Sequence, residues 1–248
     1  MKAAKDSGIK AGLRRGWSRL LRRLRWLALL LLLASTLGSI GLVILLRWVD
    51  PPLSAVMLQR LVGEGRPQRQ EWVDLERIDP QMVLAVVAAE DQRFPDHWGF
   101  DTEQIIAAVE RHLDGGRLRG ASTITQQVAR NLFLWQGRSV VRKGLEVWFT
   151  GLLEMLWPKR RILEIYLNFA EMGERTFGVG AASRRFLGLS AARLGSHNAA
   201  LIAAVLPNPV AYRIDAPSAY VLERRDWIVQ QMGNLGGPAY LDAVLNAR

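Results

Sequence analysis

The strongest constraint on this chain is a run of 21 residues, Trp26 to Leu46, with no charged side chain. A helix rises about 1.5 Å per residue, so the run spans roughly 30 Å, the thickness of a bilayer's hydrocarbon core. In lipid the backbone N–H and C=O groups must bond within the segment, which leaves a single span only the helix. Nine cations precede it within residues 1–25 (Lys2, Lys5, Lys10, Arg14, Arg15, Arg19, Arg22, Arg23, Arg25), against one anion, Asp6. The positive-inside bias keeps this tail cytoplasmic and puts the chain beyond Leu46 outside. A cleaved signal peptide is the alternative, but its apolar region runs about 7–15 residues and ends at small residues. Here Ala34-Ser35-Thr36 sit in the middle of the run, which favours an uncleaved anchor. Of the net charge of +10, the tail carries +8. The high pI therefore suits an anionic inner leaflet and argues for no nucleic-acid partner.

The chain thus divides into four segments: a basic tail (1–25), a transmembrane helix (26–46), a juxtamembrane linker (47–69) and one domain (70–248). In the linker, Arg47-Trp48-Val49-Asp50-Pro51-Pro52 reads as a stiff interfacial exit with Trp48 as its anchor. The remainder is long and apolar enough for one good core, and the absence of cysteine means it needs no disulfide. No run alternates at period two, so few strands are expected and the fold class is mainly α. Residues 53–78 should hold a short helix and then an irregular segment. Asp79-Pro80 should cap helix 81–93. Asp101 with Gln104, and Thr123 with Gln126, read as capping boxes for helices 102–113 and 123–133. Ser139 should cap a helix to about Trp157, with another at 159–171. A Gly-rich loop is expected at 173–180, helices near 179–187 and 191–206, and a last long helix from Pro217 to about Leu235.

Three stretches carry chemistry. In the first, Glu90-Asp91 emerge where the apolar run Met82–Ala89 ends, flanked by Phe94, Pro95, His97, Trp98 and Gly99. A carboxylate walled off by aromatics has a raised pKa, which suits a general base. In the second, Gly120-Ala121-Ser122-Thr123-Ile124-Thr125-Gln126-Gln127-Val128-Ala129-Arg130-Asn131 opens a helix with free N–H groups and hydroxyls, a natural anion site. In the third, Arg142, Lys143 and Glu146 share a helix face at i, i+3 and i+4 spacing, close to Arg138. Each has an ordinary reading as well: a solvated helix end, a capped surface helix, a surface ion-pair cluster.

Together, in order and spacing, these stretches resemble glycosyltransferase family 51, the peptidoglycan polymerases. The first looks like its Glu-Asp-x-x-Phe-x-x-His-x-Gly motif, the second like Gly-x-Ser-Thr-Ile-Thr-Gln-Gln, the third like Arg-Lys-x-x-Glu. Ile162-Leu163-Glu164-Ile165-Tyr166-Leu167-Asn168 and Ala203-Ala204-Val205-Leu206-Pro207-Asn208-Pro209 look like its last two motifs. With one anchor and no room for a second domain, the chain resembles the monofunctional branch, the biosynthetic peptidoglycan transglycosylases.

The resemblance implies a lysozyme-like helical glycosyltransferase domain with a small jaw lobe beside the membrane. It implies polymerisation of lipid II at the bacterial inner membrane, with the catalytic domain periplasmic. Glu90 matches the family's general base and Glu146 its second acid, placed to orient substrate or help hold a divalent ion. Arg142 and Lys143 match its cationic pair, and Arg130 and Arg138 are further cations for the pyrophosphate. Ser122, Thr123, Gln126, Gln127 and Asn131 match groups lining the cleft. No cofactor is obligatory, and Mg2+ or Mn2+ is the divalent ion such a site would take. Partners are lipid II, the growing lipid-linked glycan, membrane lipids and other proteins of wall synthesis or division. Arg130 stands where the family usually has Lys, and Asn198 where it commonly has Glu. A lysozyme-like hydrolase and a non-catalytic scaffold are the rival readings. The cationic cluster speaks against the first, since cleaving glycan releases no pyrophosphate. Loss of either acid would favour the second, and both acids are present. A zinc site is disfavoured, because only His97, His112 and His197 are available and there is no cysteine. Without a Lys-Thr-Gly string, penicillin binding is rejected.

Overall fold

The computed structural model describes residues 2–65, 68–113, 122–137 and 139–246. It divides into two compact units, Met1–Val49 and Asp50–Arg248. The first is a single helix, α1 (Lys2–Leu46), whose segment Leu20–Leu46 is long and apolar enough to cross a membrane. Its leucines 29 to 33 are each more than half exposed. Apolar side chains this exposed are consistent with a single-pass membrane anchor.

In the second unit, α2 (Ala55–Glu64) starts at Ser54, whose hydroxyl accepts from Met57 N–H, and ends at Gly65 in the left-handed region. This helix falls inside the stretch read as linker. After strand β1 (Arg69–Gln70) comes α3 (Pro80–Glu90), capped by Asp79 as its sequence demands. Met82 to Ala88 are all buried, so α3 has no solvated face. It is packed between α9 (Gly195–Val205) and α10 (Ala219–Asn234), which also pack on each other. Between these lie α4 (Thr102–Leu113), α5 (Ile124–Phe133), α6 (Val140–Leu156) and α7 (Lys159–Phe169). Here α5 packs on both α6 and α7. Strands β2 (Glu171–Gly173) and β3 (Thr176–Phe177) come next, then α8 (Gly178–Ala182), which runs into a π-turn over Ser183–Leu187. The sheet order is β1-β3-β2, with β1 parallel and β2 antiparallel to β3. The fold is mainly α, and its terminal element is α11 (Tyr240–Asn246).

Four boundaries depart from expectation. The helix expected over 81–93 stops at Glu90, because the buried Asp91 leaves helical geometry to bond elsewhere. The glycine-rich loop at 173–180 is a tight hairpin and the start of α8; strands of two and three residues are too short to show a period. There Gly178 has φ +79°, and a Cβ would stand 2.6 Å from the Asn168 carbonyl, so only glycine fits. The helix expected from 191 begins at Gly195, after one 3-10 turn. Finally, α11 lies beyond the helix expected to be last; its Leu241 and Val244 are buried.

Candidate active site

Glu90 is the last residue of α3 and only 14% of its side chain is exposed. Gln127 Nε2 donates to its Oε2 at 2.9 Å, and Tyr166 Oη donates to Gln127 Oε1 at 3.2 Å. The tyrosine thus fixes which way the Gln127 amide points. Arg224 of α10 lies 3.6 Å from the other oxygen, Oε1. Burial raises the Glu90 pKa, opposed by the Gln127 hydrogen bond and the Arg224 and Arg130 charges, and burial wins. Tyr166 is pushed well above its ordinary value, first by burial and then by the Glu90 charge.

Asp91 points the other way, into the protein. Its Oδ2 accepts from Ile124 N–H at 3.0 Å, an otherwise orphaned donor in the first turn of α5. Its Oδ1 lies 2.8 Å from His97 Nε2, while His97 Nδ1 accepts from Gly99 N–H at 3.1 Å. These partners assign the neutral ring with its proton on Nε2. Thr123 Oγ1 donates to Gly99 O, and Lys159 Nζ donates to His97 O at 2.6 Å. Buried Lys159 also pairs with buried Glu154 at 2.8 Å and sits 4.4 Å from the Phe94 ring centroid. The loop after Glu90 is therefore held from α5, α6 and α7 at once. At its turn Gly99 has φ +76°, and a Cβ would collide with Thr150 at 2.5 Å.

A cleft of about 390 Å³ opens beside this arrangement. Gln127, Arg130, Asn131, Arg142 and Tyr166 line it, with Phe169, Phe177 and Leu206 as apolar wall. Glu90 stands behind Gln127, and its own accessible edge opens on a smaller hollow of about 280 Å³ bounded by Gln92, Arg93, Gln104 and Trp227. Arg142 Nη1 and Lys143 Nζ both pair with Glu146, at 3.0 and 2.5 Å. Glu146 is buried and outside the cleft lining, so it holds the two cations in place.

The expected site residues thus divide. Gln127, Arg130, Asn131 and Arg142 meet at the cleft, with Glu90 behind them. Lys143 and Glu146 flank Arg142. Thr123 and Gln126 are buried and spent on each other in the capping box of α5. Ser122 is exposed beside that cap. Arg138, Gly120 and Ala121 lie outside the described residues. Sequence reasoning missed Arg224, which has another arginine as neighbour in an unremarkable helix, and assigned no role to Tyr166, though its motif was in view.

Neither candidate donor set suits a divalent ion. Both Glu146 oxygens already face cations. Asp91, His97 and Asp101 offer ligand atoms within 4.8 Å of one another, and Asp101 Oδ2 is buried without a partner. Yet both His97 nitrogens are engaged, which leaves no lone pair for a metal.

The family model described as Transglycosylase matches residues 56–233. The chain is 52% identical over 228 residues to a biosynthetic peptidoglycan transglycosylase of Pseudomonas entomophila, covering 90% of this chain and 93% of that one. A protein of the same name from Xylella fastidiosa is 53% identical over 229 residues, covering 88% and 94%. Another, from Pseudomonas fluorescens, is 48% identical over 237 residues, covering 94% and 95%. With a buried base candidate behind a cation-walled cleft and a family match that spans both, this chain belongs to the transglycosylase family of glycosyltransferases.

Proposed function

We propose that the chain is a peptidoglycan glycosyltransferase that polymerises lipid II into β-1,4 glycan, anchored in the bacterial inner membrane by α1 with its tail cytoplasmic. The observation that carries this is Glu90: buried, of raised pKa, held by Gln127 next to a cleft walled by Arg130 and Arg142. A sugar hydroxyl is a weak nucleophile, so its proton must leave as the new bond forms. Glu90 takes that proton from the acceptor's 4-hydroxyl. The oxygen attacks C1 of the lipid-linked donor, the C1–O bond to pyrophosphate breaks, and the configuration inverts from α to β. Negative charge grows on the departing pyrophosphate, where Arg142 and Arg130 supply fixed positive charge, with Lys143 beside them. Glu146 keeps the Arg142 and Lys143 side chains ordered before substrate arrives. No step is routed through a metal.

The test is purified full-length protein with labelled lipid II. The expected result is polymer with the native protein and none with Glu90→Gln. Shortening of preformed glycan would mark a hydrolase instead, and no reaction a scaffold. Arg142→Ala should lower kcat on the order of 100-fold or more while the circular dichroism spectrum stays native. Unchanged polymerisation by that variant would refute its role.

A further inference from the structure

A second groove, of about 600 Å³, lies among the segment after β1, the π-turn after α8 and the 3-10 turn before α9. Trp72, Arg77, Arg184, Ser190 and Arg193 line it, with Glu71 as its only carboxylate. Glu71 is taken by Arg184 at 2.6 Å. The nearby acids are also spent: Glu76 pairs with Arg160, and Asp74 accepts from the Trp72 indole at 3.2 Å. Arg77 and Arg193 have no ion pair and no side-chain hydrogen bond among the described residues. Ser190 precedes a 3-10 turn without using its hydroxyl as a cap. Outside the basic tail the chain's net charge is only +2, so this surplus is local. Two free guanidinium forks, a free hydroxyl and an indole wall suit carboxylates carried on a peptide.

The groove's position gives the source. Trp72 packs edge-on against Phe169, with ring centroids 5.9 Å apart, and Phe169 also lines the main cleft. One aromatic layer separates the two. We propose that the groove binds the carboxylate-bearing peptides of the glycan strand as it leaves the cleft, an inference that rests on the polymerase reading. Arg77 and Arg193 are the anchoring residues. They retain the product between additions and take no part in bond formation.

The experiment uses full-length protein carrying Glu90→Gln, so that bound strands are not extended. It is titrated with fluorescent uncrosslinked glycan in three forms: native, with peptide carboxylates amidated, and with peptides removed. The native form should bind tightest, and adding R77A/R193A should raise its Kd about tenfold, as expected for loss of charge-assisted hydrogen bonds. The other two forms should be insensitive to that change. With Glu90 intact, R77A/R193A should keep its initial rate of lipid II consumption and its melting temperature but make shorter strands. Parental affinity of the double variant for native strands would overturn the proposal. So would equal binding of all three forms, or a fall in initial rate matching the fall in strand length. If native protein fails to consume lipid II, it is the polymerase reading that fails.

Discussion

At the scale of single residues, the environment of Glu90 makes two opposite pH predictions. Its folded-state pKa is raised by burial. A base works only when deprotonated, so kcat should fall as pH drops through that raised value. The acid limb should lie above where a free carboxylate near 4.5 would put it. For stability the sign reverses. Between the ordinary and the raised pKa the folded chain holds the proton more tightly than the unfolded one, so this contribution is lost as pH rises through the folded value. Near neutrality ionised Glu90 destabilises the fold. Glu90→Gln should raise the melting temperature in detergent by about 2–4 °C while abolishing turnover. An unchanged or lower melting temperature would contradict the burial argument. Tyr166→Phe removes the hydroxyl that orients Gln127. It should lower kcat about tenfold with little change in KM, and shift the acid limb of the pH profile. A pure KM effect would place Tyr166 on the substrate instead.

At the scale of elements, the loop after Glu90 is the part most open to disturbance. Thr123→Ala removes both the cap of α5 and the bond to Gly99 O, and should cost about 2–3 kcal/mol. Lys159→Met strands the buried Glu154 and should cost more, about 3–5 kcal/mol. Chemical denaturation that ranks them in the reverse order would show that the cap, not the ion pair, dominates. Much of this architecture was legible in advance. Asp79, Thr123 and Ser139 cap their helices as their side chains demand, and a cap needs only local geometry. The hairpin at 171–177 and α11 were not legible. Two-residue strands carry no periodicity, and α11 is held by contacts far off in sequence, such as Tyr240 Oη to Gln92 O at 2.7 Å. The same limit hid Arg224, which meets Glu90 across 134 positions of chain. Motif spacing could assemble Gln127, Arg130 and Arg142. It could not tell that Gln126 turns inward while Gln127, one residue on, faces the cleft.

At the scale of the whole molecule, the absence of cysteine makes orientation directly measurable. Single cysteines at Ser7 and at the exposed Ala216 should behave oppositely toward a membrane-impermeant maleimide. In intact spheroplasts Ala216→Cys should label at once, and Ser7→Cys only after the membrane is opened. The reverse pattern would invert the proposed topology. A last consequence comes from α3, whose buried residues are covered mainly by α9 and α10. Those covering helices begin and end more than 100 residues downstream. Ribosomes add about 5–20 residues per second, so the newly made α3 stays uncovered for on the order of ten seconds. Through that interval an 11-residue segment of mostly apolar character lacks its main cover. The nascent chain therefore needs something to occupy α3, such as a holding chaperone. The Arg224 partner of Glu90 arrives only when synthesis is almost complete.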